Sequence, residues 1–152
     1  RCQNIEISSG AIKRGLYNTV WPGRCEVISR NPAVVLDGAQ NAASAAAIKK
    51  AIKDNFRYKK LILVLGISSD KDIKGICAQL WDIASIVILT QSKNPRATPP
   101  KELARYFKKK EIHIAESIKI AKKKAKVLAD KEDLILATGS LFVVGEFRDA
   151  KI

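Results

Sequence analysis

The chain is poor in the residues and motifs from which several large classes of site are built. One histidine and three cysteines in 152 residues leave little to ligate a metal. Cys2, Cys25 and Cys77 are widely separated, odd in number and nowhere in CxxC spacing, so neither a zinc site nor a disulfide framework follows, and a reducing cytoplasm is the expected compartment. His113, inside the short apolar stretch HIA, reads as structural or surface-exposed. No apolar run approaches the ~20 residues of a membrane helix, and the opening RCQNIEISSG lacks the apolar centre of a signal peptide. Aromatic residues make up 6% of the chain, and none is interleaved among the lysines at Lys108 to Lys110 and Lys119 to Lys126. The net charge of +13 would otherwise raise nucleic-acid binding. Without stacking platforms the excess reads as the solvated faces of two late helices, and neither a nucleic-acid nor a membrane partner is expected. GxxxxGK[ST] is missing too, which excludes a phosphate-binding loop of that type within these residues.

What the sequence does contain is an alternation of two patterns. A short helical pattern over Ser8 to Asn18, with Ile12 and Leu16 on one face, leads into a turn at Trp21-Pro22-Gly23. CEVIS at Cys25 to Ser29 and AVVLD at Ala33 to Asp37 are too close for a parallel crossover and predict an antiparallel hairpin. From Asn41 to about Phe56 the apolar positions Ala45, Ile48, Ile52 and Phe56 form the stripe of a helix lying on a sheet. LILVLG at Leu61 to Gly66, SIVILT at Ser85 to Thr90 and LILATG at Leu134 to Gly139 have the continuous apolarity of parallel strands buried on both faces. Between them lie helical stretches at Ile73 to Trp81, from near Pro100, at Ile118 to Leu128 and at Ser140 to Asp149, with a short strand at Glu111 to Ala115. The expectation is one α/β domain over residues 1–152, a doubly wound, Rossmann-like and mostly parallel sheet with one antiparallel strand and helices on both faces. A chain of this length can bury roughly 70% of its unfolded surface as one domain. Its opening on a domain-entry helix suggests a fragment of a longer protein.

In such folds ligands bind in the crevice at the carboxyl ends of the strands. The stretch AVVLDGAQN places Asp37 at that edge and lets Asn41 cap the following helix. An isolated Asp there ordinarily starts a turn; it can also accept hydrogen bonds from a ribose. Arg24, opening the first strand, could pair bidentately with phosphate. In GISSDKD, Asp72 is a helix cap and Lys71 a cation able to meet a carboxylate or phosphoryl group; Arg96, in the next loop, could do likewise. Ser140 lies at a helix N-terminus, where an anion is favoured by the dipole and the free N–H donors.

WPGR at Trp21 to Arg24, the DGA-x-N turn at Asp37 to Asn41, GISSDKD, TQSKNPRAT at Thr90 to Thr98 and ATGSLFVVGEFR at Ala137 to Arg148 together resemble the C-terminal domain of folylpolyglutamate synthase and dihydrofolate synthase, members of the Mur ligase superfamily. The resemblance implies an ATP- and Mg2+-dependent ligase that activates a carboxylate as an acyl phosphate for attack by the amine of L-glutamate, with folate or dihydropteroate as acceptor. It implies that Arg24 contacts ATP phosphate, Asp37 the ribose and Asn41 the same site, that Ser140 holds the incoming glutamate, and that Lys71 and Arg96 line the amino-acid site, Lys71 close to the chemistry. Gln40 stands where the family carries histidine, and Ala42 where it carries proline. Gln40 can donate a hydrogen bond but cannot carry charge. The phosphate loop and most metal ligands of the family belong to an N-terminal ATPase domain, so this segment alone is expected to be inactive. A peptidoglycan-precursor ligase domain, or a non-catalytic nucleotide-binding module that has lost its chemistry at Gln40, are the alternatives.

Overall fold

A computed structural model describes residues 6–151 of the protein, and Cys2 lies outside them. In chain order the elements are α1 (Ser9–Asn18), β1 (Glu26–Arg30), β2 (Ala33–Asp37), α2 (Ala42–Asn55), β3 (Leu61–Leu65), α3 (Ile73–Leu80), β4 (Ile86–Leu89), α4 (Pro100–Leu103) with a 3-10 turn over Ala104–Phe107, β5 (Glu111–Ile114), α5 (Ile118–Leu128), β6 (Leu134–Thr138) and α6 (Leu141–Asp149). The three continuous apolar runs become β3, β4 and β6, buried at every residue. They form the centre of a six-stranded sheet ordered β1-β2-β6-β3-β4-β5. All pairs are parallel except β1 with β2, as the short connection through Asn31 and Pro32 demands.

The alternation of a strand divides the core in two. Val35, Leu61, Leu63, Leu65, Val87 and Leu136 point to the face covered by α2, α3 and the segment carrying Leu103 and Phe107. Val34, Leu36, Ile62, Val64, Ile88 and Ile135 point to the face covered by α5 and α6. The chain crosses from β2 to β5 along the first face, then returns through α5 on the second and inserts β6 between β2 and β3. That reversal makes the neighbourhood of β6 the topological switch point, so the carboxyl ends of β2, β6 and β3 border the crevice where such folds bind ligands.

Two expectations about lysines need correction. Lys108 to Lys110 follow the 3-10 turn and lie on no helix; Lys110 turns inward, donating to the Ala84 carbonyl at 2.8 Å with its ammonium 4.2 Å from the Trp81 ring centroid. Lys122 is buried, not solvated: it sits in the stripe of Ile118, Ala121 and Ala125, and its ammonium donates to the Ala150 carbonyl at 2.8 Å. The last carbonyls of α6 have no intrahelical partner, and Lys122 supplies one. Helix α1 is capped by Ser8 but buries none of its residues; Ile12, Leu16, Tyr17 and nearby Trp21 are exposed.

Candidate functional site

The turn before β1 is built by short local bonds. Arg24 N–H donates to the Trp21 carbonyl at 3.2 Å, Gly23 takes a positive φ of 70°, and Gly23 N–H donates to Glu26 at 2.8 Å. Glu26 in turn receives Arg148 from α6 through contacts of 2.6 and 2.8 Å, tying the turn to the far end of the chain. Asp37 completes the frame from β2: its Oδ2 accepts from Cys25 N–H at 2.8 Å and its Oδ1 from Ala39 N–H at 2.9 Å. Burial raises the Asp37 carboxyl above its ordinary value against the opposing pull of these two N–H groups and of Arg24. The carboxylate therefore holds the two walls of the turn together while keeping a second lone pair on each oxygen.

Gly38 leaves room for Arg24. A Cβ there would stand 2.5 Å from Arg24 Nη1 and would also strike Leu141, from the TGSL segment. Asn41 caps α2 in a reciprocal box with Ser44: Ser44 N–H donates to Asn41 Oδ1 at 2.8 Å, and Asn41 N–H donates to Ser44 Oγ at 3.1 Å. Gln40 is exposed at the mouth of this turn. Arg24, Asp37, Gln40 and Asn41 thus border one cavity of about 440 Å³, whose far wall is apolar, formed by Ala47, Ile48 and Ala51 of α2. A cation, a carboxylate and an apolar wall around one cavity form a lining suited to a ligand with both charged and flat apolar parts.

Ser140 lies off this cavity. It is buried as the N-cap of α6, its Oγ accepting from Phe142 N–H at 3.2 Å, two residues past the end of the strand that pairs Thr138 with Asp37. Gly139 adopts φ 101° and passes so close to β3 that a Cβ would stand 2.5 Å from the Gly66 carbonyl oxygen. Lys71 and Arg96 come together on a third part of the same edge through a residue the sequence reading missed, Asp70. Lys71 Nζ lies 2.8 Å from Asp70 Oδ2 and Arg96 Nη1 lies 3.7 Å from it. The Lys71 hydrogen bond above all, with Arg96 nearby, holds the Asp70 carboxyl below its ordinary range. The loops carrying them are stitched by Ser69 N–H to the Arg96 carbonyl at 2.8 Å and Thr98 N–H to the Ile67 carbonyl at 2.9 Å. Asp72 caps α3 as expected, its Oδ1 accepting from Gly75 N–H at 2.9 Å. The hydroxyls of Thr90, Thr98 and Thr138, all buried along this edge, have no partner among the described residues, so the edge retains unspent hydrogen-bonding capacity. Cys25 borders the cavity with its thiol raised by burial and by Asp37, while Cys77 is a core thiol pushed up to about 12 by burial and by Asp72. Among the described residues no group of three His, Cys, Asp or Glu is placed to hold a metal ion.

A doubly wound sheet with a lined cavity and a cation cluster along the carboxyl ends of its strands is the architecture of a ligand-binding α/β domain. The chain belongs to the Mur ligase family, matching its glutamate ligase domain over residues 23–141. Among its relatives, it is 36% identical over 146 residues to the probable bifunctional folylpolyglutamate synthase/dihydropteroate synthase of Haloferax volcanii, covering 94% of this chain and 17% of that protein. It is 35% identical over 148 residues to the dihydrofolate synthase/folylpolyglutamate synthase of Buchnera aphidicola, covering 97% of this chain and 36% of that protein. Among solved structures, Escherichia coli FolC in complex with DHPP and ADP superposes with a TM-score of 0.88 at 26% identity, over 96% of this chain and 35% of that one. The Yersinia pestis bifunctional folylpolyglutamate synthase/dihydrofolate synthase with Mn, AMPPNP and L-glutamate bound superposes with a TM-score of 0.83 at 28% identity, over 93% of this chain and 34% of that one. The chain thus spans about a third or less of the length of these relatives.

Proposed function

We propose that this chain is the C-terminal part of an ATP-dependent ligase that joins L-glutamate to folate, to dihydropteroate, or to both. The observation that carries this reading is the single cavity that Arg24, Asp37 and the start of α2 share with an apolar wall. ATP supplies the phosphoryl group that activates the acceptor carboxylate. Arg24 binds and orients the phosphates, Asp37 receives the ribose hydroxyls on its free lone pairs, and Asn41 fixes the helix start that faces them. Ser140, at the switch point, and the cations of Lys71 and Arg96, which Asp70 brings together, hold the carboxylates of the incoming glutamate, with Lys71 nearest the reacting carbonyl, where a fixed cation stabilises developing charge. Gln40 donates a hydrogen bond from the position at which the family carries histidine. Most of the Mg2+ ligands come from an N-terminal ATPase domain of the same parent chain, as the family resemblance implies. Closure of that domain onto this edge assembles the site and excludes water. The parent protein works in the cytoplasm, whose reducing poise keeps thiols such as Cys25 and Cys77 free.

The test is ATP-dependent joining of labelled L-glutamate to dihydropteroate and to tetrahydrofolate by the parent protein, with Asp37→Ala, Ser140→Ala and Gln40→His alongside. Incorporation by wild type that falls at least tenfold in the first two variants is the expected result, and the preferred acceptor names the substrate. Incorporation only in Gln40→His would replace this reading with a ligase-derived module disabled at that turn.

A further inference from the structure

The edge of the sheet opposite the ligase site carries a second polar cavity that the reaction does not use. The end of β1, the loop between α2 and β3 and the loop between α5 and β6 enclose about 400 Å³ there, bordered by Arg30, Arg57, Lys59 and Lys131 and by two carboxylates, Glu132 and Asp133. Both carboxylates are already committed. Asp133 is buried, and its two oxygens accept the N–H groups of Lys60 and Asp130, each at 3.0 Å. Glu132 pairs with Lys59. Arg30, Arg57 and Lys131 remain without an ion pair or side-chain hydrogen bond to any described residue, and they border the same space.

The backbone that presents these cations is fixed. Ala33 N–H donates to the Asp133 carbonyl at 3.1 Å, Lys59 N–H to the Glu132 carbonyl at 3.0 Å, and Leu134 N–H to the Lys60 carbonyl at 3.0 Å. With the two side-chain bonds of Asp133, these contacts lock three separate segments into one frame. Two guanidinium groups and an ammonium around a polar hollow, with the local carboxylates spent on the frame, match a multiply charged oxyanion; guanidinium is suited to bidentate contact with phosphate. We propose that this cavity is an anion site for a phosphate-bearing ligand, separate from the nucleotide cavity at the other edge.

The experiment is calorimetric titration of the chain with tripolyphosphate at near-physiological salt, where long-range attraction between exposed charges is largely screened. The expected result is one saturable equivalent that persists in Arg24→Ala, whose side chain serves the other cavity, and that weakens at least tenfold in Arg30→Ala/Arg57→Ala. Asp133→Asn separates a built site from general attraction to a basic protein: removing a negative charge tightens a general attraction, whereas loosening the frame weakens this site. If that variant does not fold, Lys123→Glu/Lys126→Glu on the exposed face of α5 serves the same purpose, and binding within twofold of wild type is expected. The proposal is overturned by titration without saturation, by loss of the only equivalent in Arg24→Ala, or by the α5 variant losing as much affinity as the paired arginine variant.

Discussion

Removing the Asp37 carboxylate should loosen the turn before it affects any ligand. Two charge-assisted bonds, from Cys25 N–H at 2.8 Å and Ala39 N–H at 2.9 Å, end on that side chain. Such bonds contribute ~1.5–3 kcal/mol each, and the half-exposed setting argues for the lower end. The burial that raises the carboxyl is relieved when it is deleted, which offsets part of the loss. Asp37→Ala is therefore expected to cost about 2 kcal/mol, and Asp37→Asn, which keeps one acceptor but turns an amide N–H toward the other donor, about 1 kcal/mol. In urea, with m on the order of 2 kcal/mol/M for a chain this size, the Ala variant's midpoint should fall by about 1 M. The pH dependence has a defined sign. Because the folded-state pKa lies above the ordinary 3.8, ionisation of Asp37 costs the folded state more than the unfolded one. The stability margin of wild type over Asp37→Asn should thus be largest below 3.8 and shrink as pH rises through the folded-state value. A loss under ~0.5 kcal/mol in Asp37→Ala, within the range of an ordinary surface substitution, would refute the scaffolding role, and a margin that grows with pH across that window would refute the net upward shift of the carboxyl.

Gly139→Ala should cost about 3 kcal/mol or more, since the new Cβ meets the Gly66 carbonyl oxygen at 2.5 Å and the residue keeps φ 101°; differential scanning calorimetry should show a melting point lowered by roughly 10 °C. Gly38→Ala should behave differently, because the atoms nearest its Cβ belong to the side chains of Leu141 and Arg24 and not to backbone. A stability loss of about 1 kcal/mol with displacement of Arg24 is expected, read as at least fivefold weaker ADP binding by the parent protein; unchanged ADP affinity would count against Arg24 as a nucleotide contact.

The strands were legible because burial on both faces leaves a continuous apolar run, and β3, β4 and β6 formed where those runs lie. Helix α2 was legible for a different reason: its stripe of Ala45, Ile48 and Ile52 is uninterrupted and Asn41 caps it. Lys122 was illegible because periodicity counts a lysine as solvent-facing, whereas here the unpaired carbonyls at the end of α6 accept it. Arg24 and Asp37 could be singled out from WPGR and DGA, but the apolar wall opposite them could not. Ile48 already had a place in the helix stripe, and nothing in its spacing says that it also borders a cavity.

Strand order is the deeper gap, and it decides how the site residues combine. The alternation of strand and helix fixes that the loops after β2, β3, β4 and β6 share one edge, but not which of them are neighbours. Had α5 crossed on the same face as α2 and α3, β6 would have extended the sheet beyond β5, and Ser140 would lie remote from Asp37. Because α5 takes the opposite face, β6 enters between β2 and β3, and Thr138 pairs with both Asp37 and Leu65. The same adjacency rule explains Asp70. Loops leaving the neighbouring strands β3 and β4 meet at the bridge between Ser68 and Ala97, and only that closure brings Arg96 to the carboxylate beside Lys71. The place of Ser140 in the candidate site is therefore chosen by the path of α5, whereas Arg24 meets Asp37, and Lys71 meets Arg96, through strands that are neighbours whatever that path.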